Sequence, residues 1–93
     1  MFKTNEYFGG KVKSIAFQNQ EKPATVGVMA AGDYNFNTVE KEKMTVITGE
    51  LTIRLVDNGD AKSYVAGQSF GVAANSAFEV TVPAECAYLC EYG

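Results

Sequence analysis

The chain has 93 residues, 46% of them hydrophobic, a net charge of −3 and no histidine. That is enough for one domain, residues 1–93, with one real core, and the apolar content excludes a disordered chain. Lysine and arginine are scattered singly rather than clustered, which argues against a nucleic-acid footprint, and no run approaches the ~18 apolar residues of a membrane span.

Met1 to Phe8 lacks an apolar run of signal-peptide length, so a cytoplasmic protein is expected. Lys11 to Gln18 alternates as a strand, and Gln18 to Pro23 is a polar turn. Ala24 to Ala31 is a second strand, in which Gly27 suggests a bulge or a close backbone approach. Gly32-Asp33 turns the chain. Lys41-Glu42-Lys43 is a polar lead into a strand over Met44 to Thr48, and Gly49-Glu50 connects tightly to Leu51 to Val56. There Leu51, Ile53 and Leu55 share one face, and Thr52 and Arg54 the other. Asp57-Asn58-Gly59-Asp60 is the clearest hairpin signal, because Asn-Gly tolerates positive φ at both central turn positions. Lys62 to Ala66 returns as its partner, Ser69 to Ala73 follows, and Ala74-Asn75-Ser76 turns again. Phe78, Val80 and Val82 alternate with Glu79 and Thr81 until Pro83 breaks the strand, and Ala87 to Tyr92 closes the chain.

About eight or nine short strands with frequent turns and no helical period predict an all-β fold. In so small a chain they predict a single antiparallel β-barrel of jelly-roll type, since closure removes sheet edges. Cys86 and Cys90 lie on the last strand. Four residues along a strand separate Cα atoms by about 13 Å, whereas a disulfide needs less than about 7 Å. Both are therefore expected as reduced core residues.

The segment Gly32 to Gly49 carries the glycine skeleton of a cupin metal motif, in which a glycine precedes His-x-His, a glutamate and a closing glycine. Glu42 stands in register before Gly49. The histidines would fall at Asn35 and Asn37, or at Phe36 and Thr38. None of these supplies an imidazole, so no metal cofactor is expected. In the second cupin motif only Gly67 survives, with Phe78 in the histidine place.

The chain resembles the pyrimidine/purine nucleoside phosphorylases, a family of small metal-free cupins, over nearly its whole length. The resemblance rests on Asn5-Glu-Tyr-Phe8, Lys11-Val-Lys-Ser14, Val26-Gly-Val-Met29, Gly32-x-Tyr34-x-Phe36-x-Thr38, Glu42-x-Met44-Thr-Val46, Gly49, Ala66-Gly67, Phe70 and Tyr88-Leu-Cys90-x-Tyr92. It implies phosphorolysis, in which a nucleoside and inorganic phosphate give ribose 1-phosphate and a free base. A small-ligand-binding cupin without catalysis is the alternative.

Cleavage of an N-glycosidic bond builds positive charge on the ribose, so positioning and electrostatics would supply most of the gain. Glu42 and Thr38 are the expected catalytic pair at the barrel mouth, on ribose hydroxyls or a base edge. Phosphate calls for fixed positive charge or hydroxyls, which points to Arg54 first, then Lys13, with Ser14. Tyr34, Phe36, Met44 and Phe78 are the expected apolar and aromatic wall for sugar or base. The partners expected are a small-molecule nucleoside and phosphate, with neither nucleic acid nor membrane. A homodimer is expected through Thr4 to Phe8.

Overall fold

The computed structural model describes residues 1–55 and 59–93. The strands are β1 (Thr4–Tyr7), β2 (Val12–Asn19), β3 (Lys22–Met29), β4 (Gly32–Asn37), β5 (Glu42–Thr48), β6 (Glu50–Leu55), β7 (Ala61–Val65), β8 (Ser69–Val72), β9 (Ala77–Val82) and β10 (Cys86–Tyr92). The only helical element among the described residues is a short 3₁₀ turn, Phe8–Gly10. The strands form two antiparallel sheets, a six-stranded one ordered β1-β2-β3-β10-β5-β8 and a four-stranded one ordered β4-β9-β6-β7.

The expected all-β jelly roll is present, but as two facing sheets rather than one closed barrel. On one side the sheets are laced together: Val46 N–H donates to the Gln68 carbonyl at 3.0 Å, Gly67 N–H donates to the Val46 carbonyl at 2.8 Å, and Tyr64 stacks on Phe70 with ring centroids 4.7 Å apart. On the other side the edge strands β1 and β4 share no ladder. There only side chains span the gap, with Phe8 against Tyr34 and Phe36.

Period-2 alternation fills the space between the sheets. Leu51, Ile53, Phe78, Val80 and Val82 are buried from the four-stranded sheet, and Val12, Met29, Met44, Val46, Phe70 and Val72 from the six-stranded one. Leu89 and Val26 pair on the outer face, as do Val26 and Ile15. Two strands lie outside the sequence expectation. β1 has no apolar alternation, and Gly32-Asp33 opens β4 instead of turning the chain. The expected Asp57–Asp60 hairpin turn falls partly outside the described residues; β6 and β7 pair on either side of it. Cys86 and Cys90 are both free and buried.

Candidate active site

Six side chains on strands of the six-stranded sheet's inner face, Ser14, Thr25, Glu42, Tyr88, Cys90 and Tyr92, converge on one cavity of about 150 Å³. Met29 and Met44 line the same space, and Tyr7, Phe36 and Asn37 bound it at the β1/β4 gap. Strand alternation explains the convergence: Tyr88, Cys90 and Tyr92 are every second residue of β10, which is flanked by β3 and β5.

Gly27 makes room for the central phenol. A Cβ there would lie 2.7 Å from the Tyr88 hydroxyl and 2.7 Å from the Lys13 carbonyl oxygen. Of the two sequence readings of Gly27, close approach is the one realised. The bare strand lets the Tyr88 ring lie against β3, on the same cavity wall as Ser14. Asn5 Nδ2 donates to Ser14 Oγ at 3.5 Å, and the Thr25 and Tyr92 hydroxyls share a bond of 3.2 Å.

Among the described residues, Glu42 is the only acidic side chain lining this cavity, and no lysine or arginine lines it. Cys90 Sγ donates to Glu42 Oε1 at 3.5 Å. Burial pushes the Glu42 carboxyl above the ordinary carboxylate range, only partly opposed by the Cys90 bond. Burial, with the Glu42 charge beside it, pushes the Cys90 thiol up to about 12, so it stays protonated as a donor. Burial likewise raises Tyr88 and Tyr92. A carboxyl that keeps its proton nearer neutrality, among hydroxyls, can donate to a leaving group and still bond a sugar.

A second, larger cleft of about 1000 Å³ lies at one end of the six-stranded sheet, between the β2–β3 turn and β8. Lys22, Lys41, Lys43, Glu21 and Glu91 border it in mixed charge, and Glu42 lines it as well as the inner cavity. The inner cavity is the better chemical candidate, since it combines convergent polar groups with displaced acidities.

The structure brings Ser14, Phe36, Glu42 and Met44 together from the residues expected by sequence, and places the others elsewhere. Arg54 projects from the outer face of the four-stranded sheet, where it pairs with Glu79 through Nε at 2.9 Å and through its terminal nitrogen. Lys13 also faces outward, 3.8 Å from Glu6. Neither cation reaches the cavity, because both alternate away from it. Thr38 is buried, but its hydroxyl is occupied: it donates to the Ala73 carbonyl at 2.7 Å and accepts from Ser76 N–H at 2.9 Å. It clamps the β8–β9 connection. The Tyr34 hydroxyl donates to the Ala30 carbonyl at 2.6 Å, and Phe78 is core at 2% exposure. Sequence reasoning left Tyr7, Thr25, Met29, Asn37, Tyr88, Cys90 and Tyr92 out of the site. The available signals were the alternation along β10 and the glycine inside β3.

The cupin metal register does not fit a metal here. Its places hold amides, a phenylalanine and the committed Thr38 hydroxyl, and the described residues contain no group of three or more acidic or cysteine side chains suited to a cation.

The family model of the pyrimidine/purine nucleoside phosphorylases matches residues 2–92. The chain belongs to that family. A pyrimidine/purine nucleoside phosphorylase of Pseudomonas fluorescens strain Pf0-1 is 55% identical over 92 residues, covering 99% of this chain and 98% of its own length. A crystal structure of a protein of unknown function from Vibrio parahaemolyticus superposes with a TM-score of 0.96 at 44% identity, covering 100% of this chain and 99% of that one. An RmlC-like cupin from Shewanella frigidimarina superposes with a TM-score of 0.77 at 21% identity, covering 99% and 83% of the two chains, a likeness of fold alone. The family member is thus a cupin by architecture and lacks the cupin's metal-binding histidines.

Proposed function

We propose that this protein is a metal-independent nucleoside phosphorylase whose chemistry runs in the hydroxyl-lined cavity around Glu42. The observation that carries the reading is a half-buried carboxyl set among hydroxyls in a member of the phosphorylase family. A phosphate oxygen forms the new bond to C1′ of the ribose, and the C1′–N bond breaks. The electron pair of that bond leaves with the base, which takes the Glu42 proton. The ribose 1-phosphate formed from hydrogen phosphate still carries one proton, which passes to the Glu42 carboxylate as the product departs and restores the carboxyl. Ser14, Thr25, Tyr88 and Tyr92 bond the sugar and phosphate oxygens, a role open to neutral donors where no cation lines the wall. A protonated Glu42 spares the incoming phosphate the repulsion of a second anion.

The test is incubation of EDTA-treated protein with inosine or uridine plus phosphate. Phosphate-dependent release of free base with ribose 1-phosphate is expected. Tight nucleoside binding without release would favour a binding protein. Activity restored only by a stoichiometric metal would overturn metal independence.

A homodimer formed through the outer face of the six-stranded sheet accompanies this proposal. Ile15, Val26, Val28 and Ile47 project there at 37–55% exposure, an unusual run of large apolar side chains for a solvated face. Two copies related by a twofold axis would bury the patch against itself. Of the contact expected from sequence, Tyr7 and Phe8 are 46% and 44% exposed, and Phe8 also packs on Tyr34. Sedimentation showing a 10 kDa monomer at micromolar concentration would sink the dimer. A cytoplasmic location fits the two free, buried thiols.

A further inference from the structure

We infer that Phe8, backed by Phe36, is the platform on which the nucleobase stacks, an inference that rests on the phosphorolysis reading. The cavity of about 150 Å³ has room for a pentose but not for a whole nucleoside, since pockets that bury a drug-sized ligand start near 300 Å³. The base therefore extends out of the cavity, and the side that offers exposed aromatic rings, rather than the larger cleft beyond Glu42, is the rim. That rim is the β1/β4 gap, where Tyr7 and Phe36 line the cavity.

The aromatic rings there form a graded series. Phe78 is core at 2% exposure and stacks on Phe36 at 5.5 Å. Phe36 in turn meets the edge of Phe8 at 5.5 Å, and Phe8 is 44% exposed. The series thus runs from the core to a half-exposed ring next in sequence to Tyr7 of the cavity wall.

The backbone under Phe8 is costly to hold. Phe8 has φ 54°, and Gly9 and Gly10 follow at 67° and 91°. A bulky residue rarely occupies the left-handed region, and strain of this kind gathers at ligand clamps. The ring's contacts with Tyr34 and Phe36 offset part of that cost. A half-exposed phenyl ring in that conformation is explained by something that uses its face. Stacking reads no hydrogen-bond pattern, so it accepts purines and pyrimidines alike. Asn37, beside Phe36 on the cavity wall, carries both a donor and an acceptor for whichever base edge arrives.

The test is steady-state kinetics of Phe8→Leu and Phe8→Trp with inosine and uridine. Leucine keeps apolar bulk and removes the π face. The expected result is a rise in nucleoside KM of about 10-fold for Phe8→Leu, larger for inosine than for uridine, with the phosphate KM unchanged. Phe8→Trp should restore the wild-type KM. Wild-type nucleoside KM values in Phe8→Leu, with the parent enzyme active, would overturn the platform alone. A parent protein that releases no base would remove the phosphorolysis reading, and the platform with it. Should Phe8→Leu unfold, a nucleoside KM in Phe8→Trp that is unchanged or lower sustains the proposal, and one raised 10-fold or more refutes it.

Discussion

The two inner faces of this sandwich confront each other across one core and are built for different work. The four-stranded sheet turns Leu51, Ile53, Phe78, Val80 and Val82 inward, all buried and apolar. Its Tyr34 hydroxyl is tied to the Ala30 carbonyl. The six-stranded sheet places Ser14, Thr25, Glu42, Tyr88, Cys90 and Tyr92 on strands β2, β3, β5 and β10 around a cavity. One face is a packing wall and the other carries the candidate site. The polar face is tolerable because its groups bond one another, and no buried side-chain nitrogen or oxygen among the described residues lacks a partner.

Substitutions should separate the two faces. Glu42→Gln keeps shape and hydrogen bonding but removes the transferable proton, so kcat/KM for phosphorolysis should fall about 100-fold with the melting temperature little changed. Leu51→Ala, at a position with 0% exposure on the packing wall, should cost about 2–5 kcal/mol in denaturant unfolding and leave the kcat/KM of the folded fraction unaltered. Gly27→Ala should do both in part. Its methyl would meet a backbone carbonyl and the Tyr88 hydroxyl, each at 2.7 Å, costing about 1–3 kcal/mol and displacing the central phenol. Normal stability and rate in Gly27→Ala would show that Tyr88 moves aside freely. The smallest effect is expected on the outer surface. Arg54→Met breaks an exposed pair with Glu79, worth about 0–1 kcal/mol, and should not change the phosphate KM.

The same contrast explains what the sequence could tell. Alternation is local, so β6, β9 and β10 were legible from Leu51-x-Ile53, Phe78-x-Val80 and the terminal run. β1 was not, because an exposed edge strand carries no buried face to mark it. Barrel closure was expected from strand count alone, but closure is a matter of which edges pair, and β1 and β4 do not. Glu42 was found from its register before Gly49. Arg54 and Thr38 were misplaced because their partners, Glu79 and the Ala73–Ser76 connection, lie 25 or more residues away. The hydroxyls of Thr25 and Tyr92 meet across 67 residues, a proximity created only by the β3–β10 ladder.

The central claim is that a protonated Glu42 drives base departure, and its pH dependence tests that directly. Burial places the folded carboxyl's pKa above its ordinary value of 4.5. Activity that needs the proton is full below that raised value and is lost as pH rises through it. The measurement is kcat/KM for phosphorolysis of uridine from about pH 4 to about pH 8, in wild type and in Glu42→Gln. The account predicts a descending limb in the wild type, set above the ordinary carboxyl range, and its absence in the far slower variant. Coincident profiles with equal rates would contradict it.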